Sequence, residues 1–231
     1  MPATDRAALA ALTAEVVECR LCPRLVAWRE LVGREKVARF RDETYWARPV
    51  PGFGDPDARI LLLGLAPAAH GGNRTGRVFT GDASGDFLFA ALHSAGLADR
   101  PASRRADDGL TLFDTYIAAA VRCAPPANKP TIEERDTCAP WLAVELGLLA
   151  RVRVIVALGA FGWDAALRVL ATEGHVVRPK PRFGHGAEAT VGPYRLLGTY
   201  HPSQQNTFTG VLTPRMLEAV LERAREVARA S

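Results

Sequence analysis

Four short runs of this chain are apolar in most positions and read as hydrophobic rather than alternating: residues 58–65, 115–122, 152–158 and 194–200. A strand with one wet face alternates apolar and polar side chains. A run without alternation needs cover on both faces, as in a parallel sheet. Helical patterns lie between the runs. Residues 82–95 follow the first run, and Thr131 with Glu134 gives the spacing of a capping box for the next helix. Pro140 predicts a break of that helix into two pieces. Residues 159–172 follow the third run, and residues 214–230 close the chain. Strands alternating with helices predict right-handed crossovers and a three-layer α/β/α sandwich around a central four-stranded parallel sheet. With 231 residues, 48% of them hydrophobic, the chain is long enough to bury one core, and residues 1–231 read as a single α/β domain. Ligands of such sheets sit beyond the carboxyl ends of the strands.

No stretch approaches the roughly 18 apolar residues of a membrane span. The opening MPATDRAALAALTAE lacks the basic start and apolar core of a secretory signal, so a cytoplasmic protein is expected. A formal charge of +4 suits a polyanionic partner but does not identify one.

The chain has four cysteines: Cys19 and Cys22 at the end of a helical N-terminal segment, Cys123 after the second run, and Cys138 in the helix that follows. Persistent disulfides are unusual in a cytoplasmic setting. Four thiolates ligate either zinc or an iron–sulfur cluster. The fourteen residues between Cys123 and Cys138 suit a compact zinc knuckle badly. A [4Fe–4S] cluster tying the N-terminal segment to the sheet is the preferred reading, although spacing alone does not choose the metal.

The loop after the first run, GLAPAAHGGNRTGRVFTGD (64–82), holds five glycines and no acid before its last residue. It has neither the G-x-x-x-x-G-K-[ST] spacing of a phosphate loop nor the G-x-G-x-x-G of a dinucleotide site. Two further polar loops, CAPPANKP (123–130) and HPSQQNTFTG (201–210), follow the second and last runs.

Together, these three loops and the two cysteine pairs resemble the family 5 (UdgB-type) uracil-DNA glycosylases over residues 19–216. The resemblance implies an α/β/α fold, a [4Fe–4S] cluster on Cys19, Cys22, Cys123 and Cys138, and a monomeric, monofunctional glycosylase. Its partner would be DNA containing uracil or other deaminated bases, such as hypoxanthine and xanthine, and its product an abasic site. A base inside a duplex is out of reach, so such an enzyme everts it into a pocket. By resemblance, Phe79 is the stacking ring. Gly64, Leu65 and Ala66 bring backbone groups to the base, Gly71 and Gly72 keep the approach open, and His70 is a further base contact.

The same resemblance makes His201 a donor to the departing base, Asp82 the group that positions water or stabilises the sugar cation, and Asn128 a helper at the water or base. Asp82 also reads as a helix N-cap. Strict uracil enzymes carry Glu or Asp where this chain has Leu65, and an edge-reading asparagine where it has Ala119. Losing such an amide removes discrimination worth about 1–3 kcal/mol, which implies relaxed specificity. Pro202 and Ser203 are expected at the phosphates, and Gln204, Gln205 and Asn206 in the groove. Arg74, Arg77, Lys129, Lys180 and Arg182 are expected on a cationic rim. Two other readings stay open: a noncatalytic iron–sulfur DNA-binding protein, and a strict family 4 uracil-DNA glycosylase, against which Leu65 and Ala119 argue.

Overall fold

The computed structural model describes residues 5–230; Met1–Thr4 of the opening segment and Ser231 lie outside the described residues. The four apolar runs form β2 (Ile60–Gly64), β3 (Thr115–Ala119), β4 (Val154–Leu158) and β6 (Tyr194–Thr199). They pair in parallel in the order β3-β2-β4-β6. Every residue of β2, β3 and β4 is buried, which is why these runs show no alternation.

Two short strands extend the sheet to six: β1 (Phe53–Gly54) pairs antiparallel with β3, and β5 (Glu188–Val191) antiparallel with β6. The four-stranded expectation therefore describes the parallel centre and omits both edges. Strand β5 exposes Glu188 and Thr190 and turns Val191 inward, the one-sided pattern of an edge.

Each face of the sheet has its own core. On one face, Ile60, Leu62, Ile117, Val156 and Leu197 pack with residues of α4 (Ala83–Ser94) and α8 (Pro214–Ala230). On the other, Leu61, Leu63, Ala118, Ile155 and Leu196 pack with α1 (Arg6–Val17), α5 (Ile132–Leu148) and α6 (Ala160–Thr172). The period of two along each strand sends neighbours to opposite layers, giving the α/β/α sandwich.

The capping box at Thr131 and Glu134 is present. The expected break at Pro140 is not: α5 runs through it. Pro140 is exposed, so water can satisfy the carbonyl that its missing N–H leaves free. Helix α2 (Pro23–Glu35) starts directly after Cys22, with Pro23 at a position where a missing N–H costs nothing. The glycine-rich loop after β2 contains a single helical turn, α3 (Gly72–Thr75), between its glycines.

Candidate active site

At the carboxyl ends of β2, β3 and β6, a cavity of about 350 Å³ is lined by Leu65, Ala66, Ala68, Phe79, Asp82, Ser84, Asn128, His201, Ser203 and Gln205. All three polar loops reach it. Phe79 and His201 form its aromatic walls, with ring centroids 5.9 Å apart and planes inclined by 36°.

Glycines make the close approaches possible. A Cβ on Gly64 would lie 2.8 Å from two carbons of the Phe79 ring, and one on Gly85 would lie 1.8 Å from the Phe79 carbonyl. Phe79 itself has a φ of 52°, a left-handed conformation costing on the order of 1–3 kcal/mol that concentrates at functional positions. His201 backs onto Gly159, whose φ is 99° and whose Cβ would lie 3.2 Å from that of His201. The carbonyl of His201 accepts from Asn206 Nδ2 at 2.9 Å, which ties it to α7 (Gln204–Phe208).

Burial lowers the His201 pKa to about 4, so the imidazole is neutral at neutral pH and offers one ring N–H. Asp82 caps α4, its Oδ1 accepting from the Gly85 amide at 2.9 Å. Burial raises its pKa, and the amides of Gly85 and Ser84 pull it back. A Cβ on Gly71 would lie 1.8 Å from Asp82 Oδ2, so that glycine makes room for the carboxylate. The cap and the cavity wall are therefore one residue.

A second, enclosed cavity brings Cys19, Cys22, Cys123 and Cys138 together beneath Leu25, Val121 and Trp141. All four are free thiols. Arg29 Nη1 donates to Cys123 Sγ at 2.9 Å, and the Arg122 amide to Cys138 Sγ at 3.3 Å. Burial pushes the Cys123 thiol up to about 11 and the Cys138 thiol up to about 12. Among the described residues no three His, Cys, Asp or Glu side chains group as ligands of a single metal ion.

The Uracil DNA glycosylase superfamily pattern matches residues 51–225. A type-5 uracil-DNA glycosylase of Thermus thermophilus is 59% identical over 212 residues, 91% of this chain and 94% of the relative. Another, of Mycobacterium bovis, is 56% identical over 219 residues, 94% of this chain and 81% of the relative. The chain belongs to the type-5 uracil-DNA glycosylases. A type-4 uracil-DNA glycosylase of Pyrobaculum aerophilum is more distant, at 32% over 163 residues, 69% of this chain and 74% of the relative.

Several residues of this type-5 member lie elsewhere than sequence reasoning placed them. Arg74 and Arg77 are not on a cationic rim: both are buried. Arg74 donates to the carbonyls of His70 and Gly81 at 2.8 Å and pairs with Glu43. Arg77 donates to Ser103 at 2.6 Å and pairs with Asp108 at 2.7 Å. They hold the loop after β2 in shape, because a buried guanidinium needs partners for all its donors. His70 turns from the cavity to Tyr45, whose hydroxyl lies 3.0 Å from His70 Nδ1. Ala119 pairs with Gly64 in the sheet and is buried, and it is not among the residues that line the cavity.

Asn206 braces the His201 loop instead of reaching out, and Pro202 is buried. Ser203 accepts from the Asn206 amide at 3.4 Å while also lining the cavity. Gln204 and Gln205 remain exposed, as do Asn128, with a φ of 55°, and Lys129. Arg182 is exposed, and Lys180 pairs with Asp164 at 2.7 Å beside a separate cleft. Sequence reasoning passed over Ala68 and Ser84, both on the cavity wall; Ser84 had a signal, since it falls in the first turn after the Asp82 cap.

Among the described residues no helix is long and apolar enough to cross a membrane.

Proposed function

We propose that this enzyme everts uracil from DNA into the cavity that Phe79 and His201 line and hydrolyses the N-glycosidic bond. A water oxygen bonds to C1′ of the sugar as the C1′–N bond breaks. The bonding pair leaves on the base, which takes up a proton, and an abasic site remains. The single observation that carries this reading is the shared cavity: one aromatic face, one neutral imidazole and one capped carboxylate around a space open at the sheet edge.

The roles follow from the charge that develops. Negative charge grows on the base oxygens and positive charge on the sugar. The His201 N–H, held in a dry site, stabilises the leaving base as an oxyanion donor does, without itself transferring a proton. Asp82 spends Oδ1 on the helix cap, and its remaining lone pairs orient water or face the sugar cation. Leu65 replaces the carboxylate of strict enzymes with a group that can do neither. Asn128 at the mouth contacts water or the base.

Ala119 stands where strict enzymes carry the edge-reading amide, so the cavity discriminates weakly, and hypoxanthine and xanthine join uracil as substrates. Exposed Gln204 and Gln205 enter the DNA where the base has left. The enzyme acts as a monomer in the cytoplasm.

The four cysteines hold a [4Fe–4S] cluster. Their convergence on one enclosed apolar cavity, with Arg29 and the Arg122 amide aimed at two sulfurs, suits four thiolates. A bound cluster deprotonates thiols that burial otherwise keeps neutral. Held by these four thiolates, the cluster would tie the start of α2 to the segment after β3 and to α5.

The test is base release from duplexes carrying single uracil, hypoxanthine or xanthine, read as alkali-labile sites. Cleavage at all three supports the relaxed enzyme. Cleavage at uracil alone returns it to strict specificity, and binding without release overturns the catalytic reading.

A further inference from the structure

Beside the loop after β2 lies a groove of about 750 Å³, lined by Arg39, Phe40, Arg74, Gly81, Arg104 and Arg105 among others. We propose that this groove carries the phosphodiester backbone of the substrate strand immediately beside the everted nucleotide, with Arg39, Arg104 and Arg105 as its phosphate contacts. The proposal rests on the glycosylase reading and adds to it the path of the strand.

Continuity with the base cavity is the first argument. Gly81 lines the groove and Asp82, the next residue, lines the cavity. Successive Cα atoms are about 3.8 Å apart, and a DNA strand carries one phosphate per about 3.4 Å of its axis. A strand whose nucleotide occupies the cavity therefore brings its neighbouring phosphates over the groove.

Charge is the second. Four arginines line the groove against two carboxylates, Glu43 and Asp107. The side chains of Arg104 and Arg105 are 68% and 70% exposed, and Arg39 is exposed too. Their local partners hold them weakly. Arg104 sits 3.5 Å from Asp86, and Arg105 pairs with an Asp107 that is itself 70% exposed. Exposed pairs of this kind are worth little and yield readily to a phosphate.

The groove is also held in place. Its floor is Phe40, with the Arg74 guanidinium 3.9 Å and the Arg39 guanidinium 4.9 Å from the ring centroid. The segment bearing Arg104 and Arg105 is fixed by Asp108, which accepts from the Arg104 amide at 2.7 Å and pairs with buried Arg77. The Gly81 amide donates to the Ser103 carbonyl at 3.0 Å, joining that segment to the catalytic loop. Buried Arg74 and Arg77 thus build the scaffold on which the exposed arginines stand.

The experiment measures the affinity of the full chain for a uracil-containing duplex between about 50 and 200 mM salt, comparing wild type with R39A/R104A/R105A. Each lost phosphate contact flattens the slope of log K against log salt by about 0.9. The triple variant is expected to be shallower by about 2 to 3. A slope equal to wild type overturns the proposal. Duplexes trimmed close to the uracil on one side or the other locate the strand: the difference between wild type and variant should vanish on trimming one side only. Its persistence on both trimmed duplexes contradicts the path. If the triple variant does not fold, Arg104→Ala and Arg105→Ala separately should each flatten the slope by about 0.9. Uracil release by wild type, followed in the same samples, fails or succeeds independently of these slopes and so separates the groove from the catalytic reading.

Discussion

Replacing Gly64 by Ala perturbs the site through one contact. Gly64 does not occupy the left-handed region, so its backbone accepts alanine. The added Cβ, however, would lie 2.8 Å from Cε2 and Cζ of Phe79. Carbon atoms in ordinary contact stand about 3.5–4.0 Å apart, so the ring must retreat by roughly 0.7 Å or more. Phe79 is only 9% exposed and packs against the core, and close-packed interiors resist such shifts. Overpacking of this kind costs about 1–3 kcal/mol of stability. A displacement approaching 1 Å in the surface that receives the base can cost about 10²-fold in rate, equivalent to about 2.7 kcal/mol of barrier. The assay is single-turnover release of uracil from a duplex, with thermal unfolding measured on the same preparation. Phe79→Leu, shorter by one ring edge, should relieve the clash. The two substitutions should therefore couple by about 1 kcal/mol or more in stability while the rate stays low. A folded Gly64→Ala variant that releases uracil at the wild-type rate refutes the reasoning.

Because burial depresses the His201 pKa to about 4 from an ordinary 6.5, the unfolded chain binds the extra proton first. The stability this residue contributes is present above pH 6.5 and falls as the pH drops toward 4, by roughly 3 kcal/mol in all. Denaturant midpoints should show that decline and His201→Asn should flatten it, whereas an equally steep decline in the variant contradicts the assignment. Asp82→Asn keeps a good helix cap but removes the charge; it should retain stability within about 1 kcal/mol and lose at least about tenfold in single-turnover rate, and an unchanged rate removes the catalytic role. Cys138→Ser should abolish the broad visible absorbance and stoichiometric iron and sulfide of the purified protein; a colourless, zinc-containing wild type would replace the cluster with another metal.

The parallel centre of the sheet was legible because burial on both faces leaves the middle of each run apolar without alternation, a pattern that a covered strand tolerates. Its edges were not. Strand β5 mixes exposed and buried positions over four residues, and β1 spans two, too short for any period to register. Pro140 misled because local propensity says nothing about whether water can reach the carbonyl it strands. At the site, Asp82 was readable as both cap and carboxylate, since a helix start and an active loop meet there. Arg74 and Arg77 were not readable as buried. A guanidinium looks the same in sequence whether it faces phosphate or closes a loop, and its partners Glu43 and Asp108 lie 31 positions away in each case. The strand groove was hidden for the same reason: residues 39–44 and 104–107 meet only in the folded chain.

The most direct measurement is a crystal structure of the enzyme bound to a duplex bearing an uncleavable deoxyuridine analogue. The pyrimidine is expected face to face with the Phe79 ring, its O2 within about 3 Å of a His201 ring nitrogen. A pyrimidine that remains stacked in the duplex, or one lodged where only one of those two side chains can touch it, contradicts the account.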